Sequence, residues 1–379
     1  DIGADPLPVL AAGVPCQNSG THSHYADNCP QGANKELMRY GQQGGIPMEE
    51  MPAYIQDVLD LIEYANGDAR RTVWGRKRAE AGHPKPFNLK YIGIGNEDMI
   101  TEVFEERFAM IYKAVREKHP EITVVGTVGP FYEGTDYAEG WRLATELGVP
   151  MVDEHYYVDP GWMIHNQDYY DRYDRTKSKV YLGEYAAHLP GRPNNIETAL
   201  AEALYLTSVE RNADVVRLAT YAPLFAHVDA WQWNPDLIWF DNLRMMRTPN
   251  YYVQQMYGMN AGTDVLNLQM DGKPVTGQDS LYASAVLDAP TGEVILKLVN
   301  AGSRSEKVQI EFSGLKKRQL VSGSCTYLQS DDWKAKNTLE QEAIVPRIRP
   351  VEVASRSLSL ELQPRSFGVY RLRISTQSK

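Results

Sequence analysis

The sequence predicts an α/β chain built on a parallel sheet and followed by an all-β sandwich, on three observations. From about Leu7 to Tyr221 short apolar runs alternate with helical patterns, the mark of βα units. The runs recur at near-constant intervals, since from Ile94 the steps to Val125, Val152, Leu182 and Leu218 are 31, 27, 30 and 36 residues. After about Asn260 the hydrophobic period drops to two, as half-buried antiparallel strands require. The spacing suits a (β/α)8 barrel of roughly 250 residues and a doubly wound sheet equally, so periodicity leaves both open.

Six strands are expected in the first part, over Leu7–Ala11, Leu89–Ile94, Ile122–Val128, Met151–His155, Val180–Gly183 and Val215–Thr220. Between them, Tyr54, Val58, Leu61, Ile62 and Ala65 fall at offsets 0, 4, 7, 8 and 11, and Phe104, Phe108, Ile111, Tyr112 and Val115 repeat those offsets. Each set is one buried stripe of an amphipathic helix. A third helix is expected after Asn194, with Glu197 three residues on as in a capping box and Ile196, Leu200, Ala203 and Leu204 buried. In the second part Val308, Ile310 and Phe312 alternate with polar residues, as do Leu358, Leu360 and Leu362, and then Tyr370, Leu372 and Ile374. Short strands of this kind broken by Gly, Asn, Asp and Pro indicate a sandwich. The expected division is 1–250 for the sheet-and-helix part and 251–379 for the sandwich, with Asn250–Met270 as the junction.

Composition narrows the function classes. With 43 % hydrophobic residues, 23 Tyr and 7 Trp, the 379-residue chain can bury a sizeable core, which argues against disorder. Its net charge of −10 is the wrong sign for gripping a phosphate backbone or an anionic membrane. No apolar run approaches the ~18 residues of a membrane span. Three Cys, at positions 16, 29 and 325, are too few and of the wrong parity for a disulfide framework. Asp1 to Gly20 lacks the basic and apolar blocks of a signal peptide, so a removed upstream segment is expected.

Two carboxylates stand out by position. Glu97 closes the run Tyr91-Ile92-Gly93-Ile94-Gly95-Asn96-Glu97, and Glu184 closes Val180-Tyr181-Leu182-Gly183-Glu184, 87 residues later. Catalytic groups of a parallel barrel come from the carboxyl ends of its strands. Two such groups across one barrel mouth are what retaining glycoside hydrolysis needs, one protonated to assist the leaving oxygen and one ionised to attack the anomeric carbon, at roughly 5–5.5 Å. Glu97 would be kept protonated by partial desolvation and by the anion of Glu184, and would become a base once Glu184 is glycosylated.

With those residues in place the chain resembles the α-L-arabinofuranosidases of glycoside hydrolase family 51. The resemblance is carried by Ile94-Gly95-Asn96-Glu97-Asp98, Asp153-Glu154-His155-Tyr156-Tyr157, Leu182-Gly183-Glu184-Tyr185 and Asn234-Pro235-Asp236-Leu237-Ile238, together with the opening Ala4-Asp5-Pro6-Leu7-Pro8-Val9 and the closing Leu362-Gln363-Pro364-Arg365-Ser366. It implies a (β/α)8 TIM barrel, with about six of the eight strands present in this chain, followed by a β-sandwich. It implies retaining hydrolysis of terminal arabinofuranosyl groups, with Glu97 as acid/base at the end of strand four and Glu184 as nucleophile at the end of strand seven. Asn96 matches the Asn that binds the sugar 2-hydroxyl. His155 and Tyr157 match a His-x-Tyr after strand six whose Tyr hydrogen-bonds the nucleophile. The family's first two strands would lie before Asp1, so a preceding segment or a homo-oligomer is expected to complete the barrel.

Aromatic and amide residues near the strand ends complete the candidate substrate site. Tyr185 follows the nucleophile, and Trp231, Gln232, Trp233 and Trp239 follow the last strand, with Trp74 and Trp162 as weaker candidates. Cys16, His22, His24 and Cys29 have the wrong spacing for structural zinc, and Gly93-x-Gly95 lacks the third Gly of a dinucleotide fingerprint. No metal or cofactor is expected. The expected partner is an arabinose-containing plant polysaccharide or oligosaccharide, of the arabinan or arabinoxylan (hemicellulose) type, with no nucleic acid and no membrane, and a periplasmic or secreted location is expected over a cytoplasmic one. The competing readings are an endo-β-1,4-glucanase or xylanase on the same machinery, and an inactive carbohydrate-binding fragment.

Overall fold

A computed structural model describes residues 4–15 and 45–376. Six strands form one sheet in the order β1 (Val9–Leu10), β2 (Tyr91–Ile94), β3 (Thr123–Thr127), β4 (Met151–Val158), β5 (Lys179–Ala187) and β6 (Val216–Ala219). The pairings of β1 with β2, β2 with β3 and β3 with β4 are parallel. All six expected strands are present, but β4 and β5 run three and four residues past their expected ends. The extensions are possible because both strands are buried on alternate and even successive positions (Met151 to Tyr156 are all buried), so no polar break marks where pairing stops. Glu184 therefore lies inside β5 rather than closing it.

Contacts divide the chain into two compact units, Asp1–Tyr156 with Asp174–Gly183, and Tyr157–Tyr173 with Glu184–Lys379. The first unit holds α1 (Met51–Asn66), α2 (Val73–Glu80), α3 (Glu102–Lys118) and α4 (Thr135–Leu147). In α3 the whole expected stripe, Phe104, Phe108, Ile111, Tyr112 and Val115, is buried, and each such side chain contributes on the order of 1.5–3 kcal/mol. Thr101 caps that helix by accepting the Phe104 N–H at 3.2 Å. In α1, Val58, Ile62 and Ala65 are buried as expected, whereas Tyr54 stays partly exposed and its hydroxyl donates to the Ala11 carbonyl at 2.6 Å.

The second unit holds α5 (Pro160–His165), α6 (Ile196–Arg211), α7 (Pro249–Gly258) and all the remaining strands. Helix α6 departs from its expected cap, because Asn195 and not Asn194 is the N-cap and its box partner is Thr198 rather than Glu197. The Asn195 carboxamide accepts the Thr198 N–H at 3.0 Å and the Thr198 hydroxyl accepts the Asn195 N–H at 3.2 Å. Beyond the expected stripe, nearly every residue of α6 from Ile196 to Val209 is buried, so it is a core helix and not an amphipathic one.

Strands β7 (Phe225–His227), β8 (Ile238–Phe240) and β9 (Met245–Arg247) make a small sheet, β8 pairing with both others. Then follow β10 (Asp264–Val265), the β11 (Gln269–Met270) and β12 (Lys273–Pro274) hairpin, β13 (Leu281–Asp288), β14 (Glu293–Asn300), β15 (Glu306–Glu311), β16 (Arg318–Gln329), β17 (Arg347–Val351), β18 (Ser357–Leu362) and β19 (Ser366–Thr376). One antiparallel sheet runs β10–β13–β14–β19–β16–β17, and β15 pairs with β18 as a second layer. Leu296, Leu298, Cys325, Leu358, Tyr370 and Leu372 fill the core between them, with Leu296 opposite Tyr370 in register. The period-two expectation holds in β15, where half-buried Val308 and Ile310 alternate with exposed residues, and in β18, whereas the central strands β13 and β14 are buried at nearly every position.

Candidate active site

In the first unit the chain leaves β2 through a loop whose geometry sets Glu97. Gly95 has φ 87° and Glu97 has φ 54°, and a side chain on Gly95 would bring its Cβ within 2.5 Å of Asp98 Oδ2. Only Gly meets both demands. The Asp98 carboxylate accepts the Asn96 N–H at 2.7 Å, and the Thr127 hydroxyl at the end of β3 accepts the Glu97 N–H at 3.1 Å. A Glu held in the left-handed region stores local strain, a cost that clusters at functional positions.

Asp153 and His155 project from one face of β4, as residues two apart must. His155 Nδ1 lies 2.9 Å from Glu97 Oε1, and its Nε2 lies 3.1 Å from Asp153 Oδ2. His155 is 2 % exposed and Glu97 17 %. The imidazole thus bridges the two carboxyl groups, one at each ring nitrogen. Asn96 is exposed beside it.

In the second unit Glu184 is held from the side by Tyr157, whose hydroxyl donates to Glu184 Oε2 at 2.7 Å. The Tyr157 ring is itself fixed between His188, stacked at 4.9 Å and 17°, and Trp233 at 5.1 Å. The Arg192 guanidinium covers the Trp233 ring at 4.5 Å. Burial, and then the Arg192 charge, push the His188 imidazole down to about 4, so it is neutral at ordinary pH. Burial alone lifts Asp236 to about 6.

Behind β5 a polar layer supports the strand. Glu202 of α6 accepts the Ala187 N–H at 3.1 Å, and burial pushes its carboxyl up to about 8. Tyr185 belongs to this layer. It points to the opposite face from Glu184, is wholly buried, and donates its hydroxyl to Gln254 at 2.7 Å. The expectation that Tyr185 lines the substrate opening is thus corrected, because strand alternation turns it into the helix layer.

Trp233 joins the Tyr157 cluster, while Trp231, 49 % exposed, meets Trp239 edge-on at 5.9 Å and Gln232 is exposed. Trp162 packs against Tyr169 and Tyr205. Cys16, His22, His24 and Cys29 lie outside the described residues. The sequence reading passed over Asp153, His188 and Arg192. The i, i+2 pair Asp153 and His155 was open to detection by strand period. His188 and Arg192 sit in a loop of no period, and only the fold brings them to Tyr157.

Comparison with known proteins places the chain. A family model described as the α-L-arabinofuranosidase C-terminal domain matches residues 167–366, and one described as the α-L-arabinofuranosidase 1 domain matches residues 2–175. An extracellular exo-α-L-arabinofuranosidase of Streptomyces chartreusis is 38 % identical over 90 % of this chain and 39 % of its own length. α-L-Arabinofuranosidase 1 of Arabidopsis thaliana is 32 % identical over 84 % of this chain and 46 % of its own. Among solved structures an arabinose-bound GH51 α-L-arabinofuranosidase superposes with a TM-score of 0.74 at 25 % identity, covering 89 % of this chain and 53 % of that one. The chain thus spans less than half the length of these two curated relatives.

Proposed function

We propose that this chain, which belongs to the α-L-arabinofuranosidases of glycoside hydrolase family 51, supplies the catalytic carboxylates for retaining removal of terminal α-L-arabinofuranosyl groups from arabinan- or arabinoxylan-type polysaccharides. The observation that carries the reading is the contrast in partners. Glu184 accepts a hydroxyl hydrogen bond from Tyr157, which suits an ionised nucleophile, and Glu97 stands against a histidine nitrogen, which suits an acid.

In the first step Glu97 gives its proton to the glycosidic oxygen as that oxygen leaves, while a Glu184 oxygen forms an ester bond to the anomeric carbon. In the second, Glu97, now the carboxylate, takes a proton from water as the water oxygen attacks the same carbon and the ester bond breaks. Arabinose leaves and both side chains return to their starting states. The reading requires the two carboxyls to serve one furanose ring at roughly 5–5.5 Å. Asn96 is assigned to the sugar 2-hydroxyl, and Trp231, Gln232 and Trp233 to neighbouring parts of the substrate. Residues 1–250 form the catalytic barrel portion and 251–379 the sandwich, and secretion suits the substrate. Among the described residues no helix is long and apolar enough to cross a membrane.

The test is release of nitrophenol from an aryl α-L-arabinofuranoside, set against sugar release from soluble cellulose and linear xylan. Release from the polymers alone would move the assignment to an endo-glucanase or xylanase. A slow arabinofuranosyl substrate should leave a pentosyl adduct on the peptide that contains Glu184, and an adduct elsewhere would reassign the nucleophile.

A further inference from the structure

Within the second unit, next to the cluster around Tyr157, lies a cleft of about 440 Å³ walled by the loop at residues 191–194, the small sheet β7–β9 and the sandwich loop at residues 336–340. Its size falls within the roughly 300–1,000 Å³ of ligand sites. Trp239, Asn234, Arg192 and Lys336 are among its lining residues. An indole offers a flat apolar face to sugar C–H groups, and a carboxamide offers both a donor and an acceptor to hydroxyls.

The cleft is held in shape before any ligand arrives. The Asn337 carboxamide donates to the carbonyls of Arg247 and Ile344 at 2.8 Å each and accepts the Ile344 N–H at 2.8 Å. Two ion pairs, Arg244 with Glu340 at 3.2 Å and Arg247 with Glu342 at 2.9 Å, fasten the end of that loop and the residues after it to β9 and the residue before it. On the opposite wall Arg192 has φ 48°, the left-handed backbone that non-Gly residues adopt at a cost. A preformed cleft spares a ligand the entropy of ordering it.

Its charges are unbalanced. Glu340 shares Arg244 with Asp241, at 3.2 and 2.8 Å, whereas neither Arg192 nor Lys336 has a carboxylate partner within 4 Å among the described residues, so the lining carries two cations against one partly compensated anion. Two uncompensated cations beside a tryptophan are unexpected for a neutral sugar in a chain of net charge −10. Arg192 also covers Trp233, and Trp233 packs on the Tyr157 that holds Glu184. The cleft is therefore continuous, through one guanidinium, with the nucleophile's support.

We propose that this cleft binds a uronic-acid unit carried on a pentose polysaccharide, with Trp239 under the sugar face and Arg192 and Lys336 on its carboxylate, and so selects acidic hemicellulose or pectic chains. The inference rests on the reading of the chain as acting on glycans.

The test is calorimetric titration of the whole chain carrying Glu184→Gln, which stops turnover, with two probes of four sugar units each, xylotetraose and xylotriose bearing one glucuronic acid. The acidic probe should bind about tenfold more tightly, and Lys336→Gln, at an exposed position, should remove most of that advantage while leaving xylotetraose binding unchanged. Trp239→Ala should weaken both probes about tenfold. Equal affinity for the two probes, or an acidic preference untouched by both Lys336→Gln and Arg192→Gln, would overturn the proposal. The aryl arabinofuranoside assay on the unmodified chain keeps the two readings apart. Hydrolysis without acid preference sinks this inference alone, and acid preference without hydrolysis sinks the catalytic reading alone.

Discussion

Glu97 and Glu184 are the same residue type, one in the loop after β2 and one inside β5, and their surroundings differ in kind. Glu97 sits on a strained loop residue and faces His155, which is tied in turn to Asp153. Glu184 sits inside regular β5 and faces a phenol locked between two rings. The first carboxyl meets a ring nitrogen and the second a phenol hydroxyl. On the proposed reading the two carboxyls take opposite tasks from these partners, and not from their own chemistry.

The largest test of that contrast is Glu184→Ala, which should lower turnover of every arabinofuranoside by roughly 10⁴-fold or more, with partial recovery in added azide. Retained activity would erase the distinction. Glu97→Ala should cost roughly 10²–10⁴-fold on substrates with poor leaving groups and far less on a dinitrophenyl glycoside. Equal losses on both would make Glu97 something other than the acid. Tyr157→Phe removes the hydroxyl donor alone and should lower kcat about tenfold on good and poor leaving groups alike. His155→Phe should follow Glu97→Ala instead, with its loss confined to poor leaving groups.

The smallest effect concerns the layer behind Glu184. Glu202 has its folded carboxyl lifted from the usual 4.5 to about 8, so between those values the native state holds a proton that the unfolded chain releases. Stability should then fall as pH rises through that window. Glu202→Gln should flatten the dependence of Tm on pH there, and an unchanged slope would show the carboxyl ionised in the fold.

Much of this was legible in the residues. The α3 stripe and the sandwich alternation follow from period alone, because each segment buries one face only. The strand-end position of Glu97 was equally plain. Three features were not. Helix α6 is buried nearly all round, which a one-stripe pattern understates, and its cap shifted by one residue because Asn194 and Asn195 offer the same side chain. Tyr185 was misplaced because proximity in sequence to Glu184 means opposite faces in a strand. The rings that hold Tyr157 come from a loop after β5 and from the segment before β8, and no local signal links segments so far apart.

One buried ion pair carries a last consequence. Lys297 of β14 is wholly enclosed, bonded to Glu210 of α6 and donating to the Asn260 carbonyl at 2.7 Å, while Ser284 of β13 donates to the same Glu210. Replacing Lys297 with an apolar residue while Glu210 stays would strand a largely buried anion on the helix behind β5, and such an orphaned charge costs several kcal/mol. The C-terminal sheets are thus no detachable appendage. An engineer who wished to move α6 onto another scaffold would have to carry β13 and β14 along or rewrite Glu210 first.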